Sequence, residues 1–135
     1  MEKIAVRAII LDKKGNVLLG KRARGTLVGK WALIGGKPDQ DETEEQTVKR
    51  EVCEEIGGEF VNLVFWKKEL QEAVTPGDFL RESYYIGNIT ADTEKLILNP
   101  TETLEVKYFS RRDLDNFEVV PIHNKILQEF FNRKR

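Results

Sequence analysis

Residues 35–58, GGKPDQDETEEQTVKREVCEEIGG, set the architecture of this chain. The stretch opens with two glycines, passes through an acidic loop and enters a segment with helical periodicity. Thr43 is the predicted N-cap, because Gln46 three residues later completes a capping box. Gly57 is predicted to end the helix in the left-handed conformation. Apolar side chains spaced four apart form the predicted buried stripe: Val48, Val52 and Ile56.

Three carboxylates fall on one face of this predicted helix. Glu51, Glu54 and Glu55 are related as i, i+3 and i+4, so their side chains project close together. Negative charges so close repel one another unless a cation lies among them, and Mg²⁺ and Mn²⁺ prefer oxygen ligands of this kind. A solvated acidic face is the alternative, but the flanking glycines and Glu42 favour a metal site.

The spacing of glycines and charges in this stretch resembles the signature of the Nudix hydrolases. Gly36 is followed after five residues by Glu42, and Glu42 is followed after seven residues by the run REVCEEIG at residues 50–57. One departure is Gly58, where the family has an aliphatic residue that packs rather than reacts. The resemblance implies an α/β fold, namely a Nudix-type α/β/α sandwich with a mixed β-sheet.

The resemblance also implies an activity. Nudix hydrolases cleave the pyrophosphate linkage of a nucleoside diphosphate joined to another group, by water attack on phosphorus with Mg²⁺ or Mn²⁺ as cofactor. We therefore expect a metal-dependent pyrophosphohydrolase whose partner is a small-molecule nucleotide diphosphate. ADP-ribose or other nucleotide sugars fit the sequence about as well as (d)NTPs do, so the substrate stays open at this point.

Residues inside the signature receive roles from the resemblance. The implied metal ligands are three helix carboxylates and one backbone carbonyl: Glu51, Glu54, Glu55 and Gly35. Arg50 is expected to pair with Glu42 or Glu51 and thereby to orient the ligands. We expect catalysis to depend on Glu54, Glu51 and Arg50, and a signature glutamate is one candidate for the general base.

Three residues are candidates for contacts with the substrate or with a transferred proton. Arg22 ends the segment VLLGKR and resembles the family's phosphate-contacting arginine, although a solvated arginine at a sheet edge fits equally well. Gly36 permits close approach of the backbone to the substrate. Glu102 is the candidate general base on a later loop. Glu105 is its rival, and a surface role fits either residue.

The composition limits the class of protein. A length of 135 residues suits one compact domain spanning residues 1–135. The formal net charge of −1 gives no basic field for a nucleic-acid polymer or an anionic membrane, and no apolar run is long enough to span a bilayer. Cys53 is the only cysteine, so no internal disulfide can form, which suits a reducing cytoplasm. Homodimers are common among Nudix relatives, but no pattern here marks an interface.

The rest of the sequence predicts strands and a closing helix. Aliphatic and β-branched residues predict strands at 3–11, 17–22, 31–34, 58–69, 79–90 and 103–109. The first two are predicted to form a hairpin, and residues 73–78 a turn. Pro121 starts a C-terminal helix, on which His123 is expected to be exposed or half-buried rather than catalytic. Six aromatic side chains are candidates for stacking on a base, although most are expected in the core: Trp31, Phe65, Trp66, Phe79, Tyr84 and Tyr85.

Two other functions fit the same fold. A non-catalytic nucleotide-sensing module would be expected to lose signature carboxylates, whereas this chain retains them. A magnesium-dependent isomerase of isoprenoid diphosphates would need an additional catalytic cysteine, whereas Cys53 lies inside the predicted helix and is interpreted as a packing residue. The pyrophosphohydrolase is therefore the leading hypothesis, and the sensing module is the alternative.

Overall fold

The computed structural model describes residues 2–72 and 77–133. Its strands are β1 (Glu2–Ile10), β2 (Val17–Arg22), β3 (Trp31–Ala32), β4 (Ile34–Gly36), β5 (Phe60–Glu72), β6 (Phe79–Ile89) and β7 (Thr103–Phe109). Its α-helices are α1 (Glu44–Ile56) and α2 (Pro121–Asn132), and 3₁₀ turns lie at Thr93–Lys95 and Arg112–Asp115. Most of the predicted turn at 73–78 lies outside the described residues.

The strands form a mixed sheet and an antiparallel sheet between the two helices. The mixed sheet has the order β4-β1-β6-β5, in which β1 and β6 are parallel and the outer pairs are antiparallel. The antiparallel sheet has the order β3-β2-β7. Because α1 and α2 pack against different cores, the predicted α/β/α sandwich with a mixed sheet is confirmed.

Helix α1 begins and ends where the sequence predicts. The Thr43 hydroxyl accepts a hydrogen bond from the Gln46 N–H (3.1 Å), and the Gln46 side chain accepts one from the Thr43 N–H (2.9 Å). Gly57 ends the helix with φ of 68°, a left-handed conformation that favours glycine. The predicted stripe is fully buried and anchors α1 on the mixed sheet: Val48, Val52 and Ile56.

The predicted hairpin of the first two strands is wrong. A single antiparallel bridge joins Leu11 to Val17, and the two strands then enter different sheets. The reason is that both strands are internal: β1 lies between β4 and β6, and β2 lies between β3 and β7. The predicted single strand at 31–34 is divided for the same reason, since Ala32 pairs with β2 while Ile34 pairs with β1.

Helix α2 closes the opposite face of the sandwich. His123 is one of its buried residues, and Ile126, Leu127 and Phe130 belong to the hydrophobic core that also contains Trp31 and Phe109. Pro121 occupies the first turn, as predicted. Within residues 2–72 and 77–133, no helix is long and apolar enough to cross a membrane.

Candidate active site

Arg50 is the centre of the acidic face of α1. Its Nε and Nη2 donate to the two carboxylate oxygens of Glu42, at 2.8 and 3.0 Å. Its Nη1 donates to Glu51 (2.9 Å) and to Glu54 (3.1 Å), and Nη2 also donates to the backbone carbonyl of Lys37 (3.0 Å). Both partners predicted for Arg50 therefore contact it, and the guanidinium ties the loop before α1 to the helix.

The Arg50–Glu42 pair is ionised at neutral pH. The hydrogen bonds from Arg50 are the main reason that the pKa of Glu42 falls to about 2, and the Asp39 N–H, which donates to Glu42 at 2.9 Å, assists. The hydrogen bonds to Glu42 in turn raise the pKa of Arg50. A bidentate pair of this kind fixes the guanidinium in one orientation, so Nη1 is held against Glu51 and Glu54.

The carboxyl groups of Glu55 and Glu51 have raised pKa values. Burial is the main reason that the pKa of Glu55 rises to about 8, and the charge of Glu51 raises it further. Burial also raises the pKa of Glu51. Two ionised carboxylates placed together in a half-buried site repel each other, so a cation between them would favour the doubly ionised form.

The two glycines before the loop allow these carboxylates to lie against the backbone. The Gly35 N–H donates to Glu55 at 3.1 Å. A methyl group at Gly35 would lie 2.1 Å from the carbonyl oxygen of Val6, which excludes any side chain there. A methyl group at Gly36 would lie 2.5 Å from the carboxylate carbon of Glu51. Close packing against the backbone therefore requires glycine at position 35, whereas a methyl group at position 36 would displace only the end of the Glu51 side chain.

The oxygen donors predicted for a metal suit Mg²⁺ or Mn²⁺ by their chemistry. They do not form a ready cage, because in the described part of the chain no three His, Cys, Asp or Glu side chains are grouped closely enough to hold a metal ion. Arg50 Nη1 bridges Glu51 and Glu54, and the Glu54 side chain is 55% exposed. Two of the carboxylates predicted to bind a metal are therefore paired with one guanidinium.

A pocket of about 230 Å³ opens beside Glu55. Its wall contains three arginines, two glutamates and backbone of the β3–β4 junction: Arg7, Arg22, Arg24, Glu55, Glu102, Leu33, Ile34 and Gly35. The structure thus brings the predicted residues Arg22 and Glu102 into one pocket with Glu55 and Gly35. Gly36 and Glu54 do not line it.

The charged groups of the pocket differ in how they are held. Arg22 Nε donates to the backbone carbonyl of Thr26 (3.0 Å), and burial, followed by the charge of Arg7, lowers the pKa of Arg22. Arg24 forms an ion pair with Glu102, the candidate general base. The rival, Glu105, lies at the surface in a pair with Lys21 at 3.4 Å.

A buried polar network behind the pocket was missed by sequence reasoning. It links four side chains from three elements: Arg7, Glu82, Tyr84 and His123. His123 is 3% exposed, so the prediction of an exposed or half-buried histidine is wrong. The available signal was Glu82, a charged residue that interrupts the apolar face of β6 and is fully buried.

None of the predicted stacking aromatics lines the arginine pocket. Trp31 packs on Phe109 in the core, with ring centroids 5.1 Å apart. Phe65 lies on β5, where its ring contacts Tyr85 at 5.5 Å. Cys53 is exposed on α1, so its interpretation as a packing residue is wrong as well. Among the described residues, the pocket wall therefore offers charged and hydrogen-bonding groups and no aromatic ring.

Comparison with known proteins identifies one family. The NUDIX domain model matches residues 1–130. The CTP pyrophosphohydrolase of Escherichia coli strain K12 is 39% identical over 67 residues, 45% of this chain and 50% of that protein. The oxidized purine nucleoside triphosphate hydrolase of Danio rerio is 45% identical over 49 residues, 36% of this chain and 31% of that protein. The matches thus span half or less of these relatives.

The fold has close counterparts among solved structures. The crystal structure of a MutT protein from Methanosarcina mazei Go1 superposes with a TM-score of 0.75 at 28% identity, covering 98% of this chain and 94% of that one. The similarity therefore extends over nearly the whole of both chains, in contrast to the short matches with the two curated relatives.

Proposed function

The chain belongs to the NUDIX domain family, and we propose that it is a metal-dependent pyrophosphohydrolase. Its substrate would be a nucleoside diphosphate linked to another group, with water as the second reactant. The main supporting observation is that Glu55, one of the carboxylates of α1, also lines the arginine-lined pocket, together with Gly35, whose N–H donates to Glu55. A diphosphate bound by the arginines would therefore lie directly against the carboxylates.

The metal ligands in this proposal are Glu51, Glu54 and Glu55, together with the Gly35 carbonyl. A bound Mg²⁺ or Mn²⁺ would neutralise phosphate charge and lower the pKa of a coordinated water. Arg50 would orient Glu51 and Glu54 through its Nη1, while its bidentate pair with Glu42 keeps the guanidinium from rotating. Gly36 leaves room for the Glu51 carboxylate.

Glu102 and Glu54 are the two candidates for accepting the proton of the attacking water. Glu102 lies in the pocket wall but is paired with Arg24, so it would have to leave that pair to act as a base. Glu54 is largely exposed and has one partner in the described residues, Arg50 Nη1. Substitution to glutamine, which removes the basic oxygen and keeps the shape, distinguishes the two.

Nucleoside triphosphates are the substrate class that we rank first. The names of the two curated relatives, a CTP pyrophosphohydrolase and an oxidized purine nucleoside triphosphate hydrolase, support this ranking. The pocket supports it too, because three arginines and no aromatic ring line its wall. ADP-ribose and other nucleotide sugars are the second class. We further propose that residues 1–135 act as one domain.

The test is product analysis after incubation with Mg²⁺ and a panel of (d)NTPs, oxidised (d)NTPs and nucleotide sugars. We expect a nucleoside monophosphate and pyrophosphate from a triphosphate, and no product when EDTA is present. Glu54→Gln should lower turnover about 100-fold or more, whereas Glu45→Gln, an exposed position in the first turn of α1, should not. Binding of nucleotides without turnover of any panel member would support the non-catalytic sensing module instead.

A further inference from the structure

Arg7 is a charged residue in the middle of the central strand β1. Both neighbours of β1 are in place, β4 on one side and β6 on the other, and the Arg7 side chain is only 17% exposed. Its Nε donates to Glu82 Oε2 at 2.8 Å. A guanidinium in such a position is costly unless it is paired and hydrogen-bonded, so the surroundings of Arg7 must be arranged to hold it.

The partner of Arg7 is itself held by other buried groups. The Glu82 side chain is 1% exposed and accepts hydrogen bonds from the Tyr84 hydroxyl (2.5 Å) and from His123 Nε2 (3.3 Å). His123 Nδ1 accepts the Leu33 N–H at 3.1 Å. These two bonds fix a neutral imidazole with its proton on Nε2. Glu82 is therefore ionised and immobile, and it presents Arg7 in one orientation.

The free end of Arg7 faces the pocket beside the signature. Among the described residues, the side chain of Arg7 has Glu82 as its single hydrogen-bond acceptor, and that bond uses Nε. The two Nη groups are not buried without partners, and Arg7 belongs to the pocket wall. Its Nη groups are therefore available to a ligand in a pocket whose wall also contains Arg22.

The charge of the pocket is suited to an anion. Arg24 is paired with Glu102, whereas Arg22 forms no ion pair within residues 2–72 and 77–133. Two guanidiniums, those of Arg7 and Arg22, thus face one pocket whose wall also contains the Glu55 carboxylate, and Arg7 keeps its pair with Glu82. The wall still has more positive than negative groups, since three arginines stand against two glutamates. The planar fork of arginine matches the oxygens of a phosphate, and the pocket wall has no aromatic ring that would hold a base instead.

We propose that Arg7, which lies outside the signature, binds a phosphoryl oxygen of the substrate, and that Glu82, Tyr84 and His123 are positioning residues that hold its guanidinium in place. The inference rests on the proposed function, which supplies a diphosphate as substrate. It adds to that function a phosphate contact from a residue that the signature does not contain.

The direct test is observation of the arginine Nε–H signals by NMR during titration with methylenediphosphonate in EDTA. This probe has a P–C–P linkage that cannot be hydrolysed, and EDTA removes any metal. The Arg7 signal, assigned by its loss in Arg7→Lys, should shift and saturate, and the Arg22 signal should shift with it. A saturating shift at Arg22 with none at Arg7 would overturn the proposal, and so would no saturating shift at either.

A matched pair of variants tests the same contact by affinity. Arg7→Gln should weaken binding of methylenediphosphonate about 10- to 100-fold, the loss expected for one hydrogen bond between charged groups. Arg111→Gln removes the same charge from an exposed position outside the pocket and should leave the Kd within about twofold, since solvent screens distant charges. An equal loss in both variants would reduce the effect to overall charge and overturn the proposal.

Two further variants keep the test independent of folding. Arg7→Lys retains the charge beside Glu82 and loses the fork, so binding intermediate between wild type and Arg7→Gln is expected. Glu82→Gln should shift the Arg7 Nε–H signal of the free protein and weaken binding, because the guanidinium loses its anchor. If the probe binds through Arg7 but no panel nucleotide is turned over, the proposed function fails, while the contact of Arg7 with a bound diphosphate is retained. If turnover is normal in Arg7→Gln with unchanged KM, the inference fails alone.

Discussion

His123 joins two buried groups, the Leu33 N–H and the Glu82 carboxylate, and replacing it should lower the stability of the fold by a predictable amount. His123→Leu fills most of the space but leaves the Leu33 N–H without its acceptor, which costs about 1–3 kcal/mol. It also removes a hydrogen bond to the ionised Glu82, worth about 1.5–3 kcal/mol. Burial of the more apolar side chain offsets about 1 kcal/mol, so a net loss of about 1.5–5 kcal/mol is expected.

Two polar variants separate the contributions. In His123→Asn the amide oxygen can stand near the position of Nδ1 and accept the Leu33 N–H. In His123→Gln the amide N–H can reach the position of Nε2 and donate to Glu82. Each should recover about 1 kcal/mol or more relative to His123→Leu, because each restores one of the two bonds. The free energy of unfolding is measured by urea denaturation monitored through tryptophan fluorescence, with equal m-values as the check on two-state behaviour.

The reasoning would be refuted by His123→Leu losing less than about 0.5 kcal/mol, the range typical of a surface substitution. It would also be refuted if neither polar variant were more stable than the leucine variant, because the two hydrogen bonds would then contribute nothing. A loss in the middle of this range, about 3 kcal/mol, leaves a positive free energy of unfolding in a domain of typical stability, about 5–15 kcal/mol. All three variants should therefore remain folded at low temperature and measurable.

Three further predictions use the same assay. Burial lowers the pKa of His123 although Glu82 opposes this shift, so below about pH 6.5 the unfolded state binds a proton that the folded state does not. The stability of wild type should therefore fall relative to that of His123→Asn as pH falls below about 6.5, by at most about 1.4 kcal/mol per pH unit. The two proteins are compared because Glu55, whose pKa is raised to about 8, gives both of them a pH dependence of stability with the opposite sign. An equal pH dependence of stability in the two proteins would show that His123 is not held neutral in the folded state. Val52→Ala should cost about 2–3 kcal/mol, since two methyl groups are lost from a fully buried site. Gly36→Ala should change stability by less than about 1 kcal/mol but reduce the stabilisation by Mg²⁺, because the new methyl group displaces the Glu51 carboxylate; undiminished stabilisation would contradict the role of Glu51.

The parts of the fold that the sequence predicts correctly are those fixed by neighbours in the chain. The capping box of Thr43 and Gln46, the left-handed Gly57 and the buried stripe all involve residues within one or two helical turns. The predicted bounds of strand β7 agree with the observed ones, because turn residues flank this segment on both sides. The contacts of Arg50 with Glu42 and Glu51 follow from spacing along one loop and one helix.

The errors concern choices between distant partners. The β1–β2 turn has local hairpin geometry, with Asp12 N donating to Asn16 O at 3.1 Å. Nothing in that turn reveals that each strand has two better partners elsewhere in the chain. The division of residues 31–34 at Leu33 has the same origin, because β3 and β4 are separated by one residue that pairs in neither sheet. Sheet assignment depends on the whole topology, which local periodicity does not contain.

One part of the candidate site is therefore built from residues close together in the sequence, and the other part from residues far apart in the sequence. The carboxylates of α1 and their arginine lie within one continuous stretch, and a sequence pattern is enough to recognise them. Arg7 and Glu82 meet only because β1 and β6 pair in parallel, with Ala5 opposite Glu82 and Arg7 opposite Tyr84. In the sequence alone, Arg7 is typical of an exposed arginine at a sheet edge, and Glu82 only interrupts the apolar face of its strand. The role of these two residues depends on their contact with each other and on helix α2. His123 of α2 hydrogen-bonds to Glu82 and to the backbone N–H of Leu33, two residues before Gly35.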